Sequence, residues 1–429
     1  MKPRNLEESV IYYGIVGTYV WFFLGAPFLL VGVAGWILLG YLLLKHFFWK
    51  DLFDTEESPP VTIPTGVWVW VVASLIILLA LMVGLLKLDA NLVRLVKSFI
   101  NNYMRTWGLL ALFPLIGCFH IRPQILYRAV CWVAVQSLIV VPFCYILMNA
   151  GVEMPLYTVG ILAKIGGFSD RYYAVGMYFQ DGVSGAYRLT LYAPWAPALA
   201  FSSIVHLWLA YYEKNQVLRW IGIITNALLV VCSSSRLGLL CLIVLPIARL
   251  GLTNLTRPVW LAAASVGTFA VGLFGFRIIT AIGNFKAFFD SQRSTSSELR
   301  DVLARIALYR WQESPIWGHA LKDEGSELTN FMPIGSHHTW FGILFTHGIV
   351  GTAALTFAIA YTLIDLLIKA QVSKIAQSAL MILLTIMAFS FGENLETLAY
   401  VYWPGLVMLG IGLKEKNWLV AGYPTVHPK

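Results

Sequence analysis

The chain has 429 residues, of which 59% are hydrophobic and only 12% are charged, and its formal net charge is +8. A soluble domain needs a more polar surface than a mean hydropathy of +0.73 allows, so this composition excludes the soluble globular class. The sequence is that of an integral membrane protein. It contains no basic, aromatic-rich nucleic-acid module, which argues against a nucleic-acid partner. Its positive charge suits contact with anionic membrane lipids.

The apolar runs along the chain predict membrane-spanning helices. A span needs about 20 apolar residues, and several runs reach that length without a central charge. Helices satisfy every backbone group within one run, whereas outer-membrane strands would alternate polar and apolar residues. We therefore predict an all-α polytopic membrane protein with about 12 transmembrane helices. The runs lie near residues 10–24, 27–47, 64–86, 106–121, 126–149, 191–212, 217–233, 236–251, 259–280, 337–369, 377–392 and 398–413.

Basic residues in the short loops predict the orientation of these spans. With the N-terminus inside, every short inner loop carries Lys or Arg, as the positive-inside rule requires, and the C-terminus is also cytoplasmic. Segment 87–105 fits the rule poorly, and its mixture of cations and apolar residues predicts an amphipathic helix on the outer surface. The whole chain, 1–429, forms one domain in this scheme. Two long loops, 150–190 and 281–336, lie outside, and the second is partly helical.

The five cysteines predict neither disulfides nor metal ligation. All of them lie in or beside apolar runs, and no spacing pairs them. Neither a C-x-x-C nor an H-E-x-x-H pattern is present. We therefore expect no metal and no cofactor.

Polar features gather on the outer face of the predicted topology. Both long loops lie there, together with the SSSR turn that ends at Arg236 and the GENLE turn that contains Glu393 and Glu396. An arginine between two apolar spans is costly unless it snorkels to water or meets an anion. Its planar guanidinium matches phosphate oxygens and keeps its charge. Arg236 is thus either a phosphate-binding residue or a snorkelling residue at the membrane boundary.

A second group of arginines recurs in the outer loop 281–336. Arg300, Arg305 and Arg310 are spaced by five residues within a predicted helix. Each step rotates a side chain by about 140° around the helix axis, so the three cannot face one ligand. One or two of them at most belong to a site.

Two adjacent histidines stand at the start of an apolar run, within GSHHTWFGILFTHGIVGT, residues 335–352. If the helix includes them, His337, Gly348 and Gly351 share one stripe within about 40°, while His338 points about 100° away. The glycines would let another helix pack closely on this stripe. His337 is either a catalytic base or a polar cap at the helix start.

These residues resemble the O-antigen ligase and polymerase superfamily. Its motif is a His, usually followed by Asn, Ser or Gln, then nine residues and G-x-x-G. HHTWFGILFTHGIVG resembles this motif with His337, Gly348 and Gly351, and departs from it at His338. SSSRLGLL resembles the family's Ser-Arg-small pattern at Arg236. LRDVLARIALYRWQESPIWGHA resembles a periplasmic helix that begins at an arginine, here Arg300, and closes at P-x-x-G.

The resemblance implies a GT-C-like glycosyltransferase at the periplasmic face of a Gram-negative inner membrane. An O-antigen ligase of this family transfers polysaccharide from undecaprenyl diphosphate to the lipid A core oligosaccharide, with inversion and without metal or ATP. His337 would be the base, and Arg236 and Arg300 would hold the diphosphate, with Arg188 as a third cation. His338, Gly348 and Gly351 would support the site.

Two further readings stay open at this point. Within the same superfamily, an O-antigen polymerase or a protein O-oligosaccharyltransferase uses the same kind of donor with another acceptor. In a different class, a transporter or flippase for an anionic lipid would also combine many spans with buried arginines. Such a protein is expected to show paired repeats or interrupted spans with charges near the midplane.

Overall fold

The computed structural model describes residues 2–47, 61–167, 169–181, 185–291, 294–325 and 332–416. This part of the chain is mostly helical, as the predicted all-α class requires. The helices, numbered in chain order, are α1 (Leu6–Val16), α2 (Thr18–Phe23), α3 (Pro27–Phe47), α4 (Thr65–Lys87), α5 (Leu92–Phe99), α6 (Leu109–Gly117), α7 (Pro123–Asn149), α8 (Gly160–Gly166), α9 (Ala196–Tyr211), α10 (Gln216–Cys232), α11 (Arg236–Leu252), α12 (Pro258–Ser291), α13 (Ser294–Trp311), α14 (Thr339–Lys369), α15 (Lys374–Phe389) and α16 (Leu395–Leu413).

Among the described residues, five helices are long and apolar enough to cross a membrane. They are Pro27–His46, Thr65–Lys87, Pro123–Asn149, Pro258–Arg277 and Thr339–Lys369. Helices α9, α10 and α15 are apolar but shorter. The structure thus agrees with an all-α membrane protein, and the larger number of twelve spans stays a prediction.

Two predicted segments differ in local structure. The run 10–24 divides at Gly17 into α1 and α2. The amphipathic segment 87–105 forms α5, which continues as a π-helix, Ile100–Trp107, into the short helix α6. Because the π-helix joins them, α5 and α6 belong to one continuous helical stretch rather than to a surface helix and a separate full-length span.

The predicted loop 150–190 contains two small antiparallel ribbons. Strand β1 (Tyr157–Thr158) pairs with β2 (Ala174–Val175). Strand β3 (Tyr178–Gln180) pairs with β4 (Tyr187–Leu189). The predicted loop 281–336 is helical over much of its length, since α12 extends into it and α13 follows; residues 292–293 and 326–331 of this loop lie outside the described residues.

Helix α16 forms the centre of the packing, because every one of its residues is buried. Gly410 of α16 lies against the backbone of Pro114 in α6, where a larger residue would overlap the carbonyl group. On another side, the ring of Phe201 in α9 stacks on Phe389 of α15, with centroids 4.7 Å apart, and packs at a tilt against Tyr402 of α16, with centroids 4.4 Å apart. Small residues and stacked rings therefore join α6, α9, α15 and α16 tightly.

Helices α9 and α15 define two ends of the molecule. At one end, Trp195, which precedes α9, donates a hydrogen bond to Glu393, which follows α15. At the other end, Tyr212, which follows α9, donates one to Gln377 near the start of α15. We call these the histidine end and the opposite end. Sixteen-residue helices separate them by about 24 Å.

Candidate active site

The predicted helical stripe through His337 is wrong. Helix α14 begins at Thr339, and His337 precedes it with a left-handed backbone, φ +63°. Further along, Gly348 has φ +62° and ψ −162° and interrupts the helix. Because His337 is not helical and Gly348 breaks the helix, the 3.6-residue periodicity does not relate their directions.

A short non-helical segment, residues 315–320, fills this interruption. The N–H groups of Ile349 and Val350 donate to the carbonyls of Pro315 and Ile316 at 2.9 and 3.3 Å. On the other side of the break, Ala320 N–H donates to Thr346 O at 2.7 Å. The backbone groups that lose their helical partners at Gly348 are therefore satisfied by this segment. The sequence predicted that another helix packs against the glycines. In the structure, this segment packs against Gly348 instead.

Glycine is required on both sides of this contact. Gly318 has φ +70°, and a Cβ atom there would overlap the backbone at Thr346 and Gly348. A Cβ atom on Gly348 would overlap the carbonyl of Ile316, and one on Gly351 would overlap the side chain of His347. The P-x-x-G and G-x-x-G segments thus interlock, and this interlock fixes the end of α13 against α14.

The turn between α15 and α16, residues 390–394, is bonded to the start of α14. Thr339 N–H donates to Ser390 O at 3.0 Å, and the Thr339 hydroxyl donates to Glu393 O at 2.6 Å. The same hydroxyl accepts from Leu395 N–H at 3.0 Å. This turn therefore has a fixed position beside His337 and His338.

Glu393 is a buried carboxylate at the centre of this end. Its exposure is 2%, and it accepts a hydrogen bond of 2.8 Å from the indole of Trp195. The Arg300 guanidinium lies 3.8 Å from its other oxygen, and 44% of the Arg300 side chain is exposed. Burial raises the pKa of Glu393 to about 7, although Arg300, Trp195 and Arg188 each oppose that shift.

Both histidines are neutral at pH 7. Burial, followed by the nearby charges of Arg300, Lys322 and Arg171, lowers the pKa of His337 to about 4. Burial and Arg300 lower the pKa of His338 to about 4. The ordinary histidine pKa of about 6.5 therefore applies to neither residue.

The two histidines have different local roles. The Nε2 atom of His337 lies 2.9 Å from the sulfur of Met332. His338 is the N-cap residue of α14, and its Nδ1 accepts from Phe341 N–H at 3.4 Å. The His338 ring therefore caps the first turn of α14. The His337 ring instead contacts Met332, in the segment that precedes the helix.

Arg188 stabilises the turn that presents Arg236. Arg188, on β4, donates to the carbonyls of Ser233 and Ser234 at 3.0 and 3.2 Å and lies 3.8 Å from Asp181. Its hydrogen bonds hold the ends of α10 and α11 together. Arg188 therefore positions the turn that precedes Arg236. The sequence predicted Arg188 as a phosphate ligand and did not predict this positioning role.

Arg236 is half-buried at the first position of α11, directly after the N-cap residue Ser235. The 390–394 turn separates its helix from Arg300. A methyl group added to Gly392 would contact Leu237 at 3.4 Å and Arg300 at 3.9 Å. The three predicted arginines, 188, 236 and 300, therefore belong to elements that meet around this turn.

The sequence did not single out Glu393 as a site residue, nor Trp195 or Lys322. Lys322 lies 3.0 Å from Glu396, which also accepts from Asn394 at 2.9 Å. The only sequence signal was that the GENLE turn carries two carboxylates between apolar runs. The pairing partners are distant in sequence and were not predictable from spacing.

In the part of the chain that the structure describes, no group of three or more His, Cys, Asp or Glu residues could hold a metal ion. Neither the known protein-family models nor the curated proteins include a match to this chain. The chemistry must therefore be argued from the site. The site combines exposed positive charge, a buried carboxylate and a neutral imidazole, which suits an anionic substrate and a proton acceptor.

Proposed function

We propose that this protein is an O-antigen ligase that transfers a polysaccharide from undecaprenyl diphosphate to the lipid A core at the periplasmic face of an inner membrane. The observation that carries the proposal is the convergence of the three motifs on one turn. Arg300, the start of the Arg236 helix and the segment that carries His337 come from separate regions of the chain, yet all border residues 390–394.

The arginines supply the charge that a diphosphate leaving group needs. Arg300 is both exposed and held near Glu393, so it can bind phosphate oxygens without losing its position. Fixed cations stabilise the negative charge that develops as the sugar–phosphate bond breaks. Arg236 provides a second cation from α11, and Arg188 keeps its turn in place.

His337 supplies the proton acceptor in this proposal. The acceptor hydroxyl oxygen attacks the anomeric carbon, the bond from that carbon to the diphosphate oxygen breaks, and the hydroxyl proton moves to a ring nitrogen of His337. The attack inverts the anomeric centre. Because a bound diphosphate offsets the positive charges that depress the His337 pKa, donor binding makes the imidazole a stronger base.

The interrupted helix α14 favours the transporter reading, because interrupted spans form ion and substrate sites in transporters. Helix α16 also leaves the helical conformation, at Tyr402. Here the backbone groups of Ile349 and Val350, which the break frees, are bonded to Pro315 and Ile316. They are not available to a transported ion. The charged groups of the candidate site, Arg300, Glu393 and Lys322, lie at the histidine end rather than halfway along the helices, which favours chemistry at a membrane surface.

The choice among ligase, polymerase and oligosaccharyltransferase depends on the acceptor. Purified protein should be given the lipid diphosphate donor together with equal amounts of lipid A core, lipid-linked O-unit and a Ser/Thr peptide. A ligase modifies the lipid A core. Extension of the lipid-linked O-unit alone would identify a polymerase, and glycosylation of the peptide alone would identify a protein oligosaccharyltransferase.

A further inference from the structure

A basic cavity lies at the opposite end of the molecule. Its volume is about 580 Å³, and its walls come from α7, the loop between α9 and α10, α10, α11 and the start of α15. Four cations line it: Lys214, Arg219, Arg249 and Lys374. A cavity of this size is in the range of small-molecule and headgroup sites.

The positive charge of the cavity is not neutralised by its own residues. Glu213 is the one carboxylate in the lining, and it is buried and bonded to Arg128 through two hydrogen bonds of 2.8 and 3.0 Å. Within the described ranges, Lys214, Arg219 and Lys374 form no ion pair. The cavity therefore presents a net positive potential that favours an anion.

Part of the cavity is rigidly built. The Arg249 guanidinium lies over the ring of Tyr211, 4.8 Å from its centroid, and its Nε donates to the Tyr212 hydroxyl at 3.4 Å. Tyr212 in turn packs against Tyr127 with ring centroids 6.0 Å apart. These contacts hold Arg249 in place, so that less side-chain entropy is lost when it binds a ligand.

The surroundings of the cavity point to a lipid. Trp220 is 56% exposed at its edge, and aromatic rings of this kind lie at the membrane–water boundary. Beyond it, α10 and α11 expose apolar residues that suit acyl chains: Ile224, Leu228, Ile243 and Ile247. A headgroup in the cavity would thus have its chains against apolar helix surfaces.

We infer that this cavity binds the headgroup of an anionic phospholipid from the membrane leaflet opposite the candidate active site. The phosphate contacts Arg249 and Arg219, and Lys214 and Lys374 add charge at the rim. The inference does not depend on the proposed glycosyl transfer, because α9 and α15 separate the two sites by about 24 Å.

Native mass spectrometry of the purified full chain tests this inference. Phosphatidylglycerol and phosphatidylcholine with identical acyl chains are added in parallel, and the phosphatidylglycerol adduct should be retained preferentially. Arg219→Gln should weaken phosphatidylglycerol binding by about fivefold, and the combined change of Arg219, Arg249 and Lys374 to Gln by about a hundredfold. Arg257→Gln is the matched control, because Arg257 is exposed outside the cavity.

Three results would overturn the inference. The first is equal retention of the two lipids, and the second is unchanged phosphatidylglycerol binding in Arg219→Gln. Arg219→Gln removes one half-buried cation and keeps the contacts of Arg249, so it still tests the inference if the triple variant does not fold. The third is binding of soluble glycerol phosphate as tight as that of the lipid, which would identify a free phosphate as the occupant.

Discussion

His338 is the point at which the motif of this chain departs from the one it resembles. It occupies a position where the resembling family usually has Asn, Ser or Gln, and in this structure it is the N-cap of α14. Asn and Ser are among the best N-cap residues because a side-chain oxygen accepts from a free N–H of the first turn. The Nδ1 of His338 accepts from Phe341 N–H in the same way. His338 therefore provides the same kind of helix cap that Asn or Ser would provide at this position.

We predict that His338→Asn keeps both stability and transfer activity, because Asn restores an acceptor at the cap. His338→Ala should lower the free energy of unfolding by about 1 kcal/mol, since it leaves that N–H without a partner. Thermal unfolding in detergent and a glycan-transfer assay measure the two effects. Loss of activity in a fully folded His338→Asn protein would show that the imidazole itself takes part in the reaction.

Glu393 predicts a pH dependence for donor binding. Its pKa of about 7 is raised from the ordinary value, so the carboxyl is mostly neutral at pH 6 and charged at pH 8. Its charged form repels a diphosphate at Arg300. The donor KM of the wild-type protein should therefore rise by up to about tenfold between pH 6 and 8.

Glu393→Gln is the matched variant, because its amide oxygen can still accept from the Trp195 indole. Its donor KM should lack the rise that the carboxylate causes. Since the donor's own ionisation affects both proteins equally, the difference between the two profiles reports on Glu393. Identical profiles would show that this carboxyl does not titrate beside the donor.

The ionisable residues of the site could be predicted from the sequence only when they belonged to a local motif. Arg300 and His337 stand in short motifs and were predicted, and the structure places them near each other. Glu393 has no motif, because its partners Trp195 and Arg300 are far away in sequence. The lowered pKa of His337 likewise depends on burial, which only the folded chain establishes.

At the scale of elements, apolar periodicity predicted α14 to within two residues of its start but missed its interruption. A run of apolar residues has the same pattern whether or not one glycine leaves the helical conformation. The break at Gly348 is stable because Pro315 and Ile316 bond to it, and these residues lie about 30 positions earlier. Periodicity contains no information about such a partner.

We predict that Gly348→Ala disrupts the interlock between residues 315–320 and α14. The new Cβ atom would overlap the Ile316 carbonyl, and the backbone conformation of Gly348, φ +62° and ψ −162°, is nearly restricted to glycine and costs another residue about 1–3 kcal/mol. The variant should lose most transfer activity and unfold at a lower temperature.

Gly151→Ala is the control for Gly348→Ala. Gly151 also has a positive φ, +71°, but a Cβ atom there meets no atom within 4 Å. It reports the cost of a positive φ without a steric contact, so the excess effect of Gly348→Ala measures that contact together with the unusual ψ of −162°. Equal effects of the two substitutions on unfolding would contradict the interlock as a stabilising contact.

At the scale of the whole molecule, the proposal requires the histidine end and the opposite end to face different compartments. At the histidine end, Tyr309 of α13 is 74% exposed, and at the opposite end Arg257 is exposed. In spheroplasts, a membrane-impermeant maleimide should label Tyr309→Cys and not Arg257→Cys. The wild-type protein gives the background, because four of its five cysteines are buried. Labelling of both or of Arg257→Cys alone would contradict the predicted orientation.

Composition and apolar runs predicted the membrane class and the helical fold, since both depend on the solvent that surrounds the chain. They did not predict how the helices pack. The central position of α16, with Gly410 against Pro114, depends on shape matching between segments almost 300 residues apart. The position of the 390–394 turn depends on that packing, so the arrangement of the candidate site could not be predicted from the sequence either.

Catalysis of glycan transfer by the His337 site is tested most directly by a single-turnover assay of purified protein. Wild-type protein, with the lipid diphosphate donor, lipid A core and EDTA and without ATP, should form glycosylated lipid A core. His337→Ala should react slower by about 10²–10⁴-fold, the usual contribution of a general base, while it unfolds at the wild-type temperature. Transfer by His337→Ala at the wild-type rate, or an absolute requirement for a metal ion or ATP, would contradict this account.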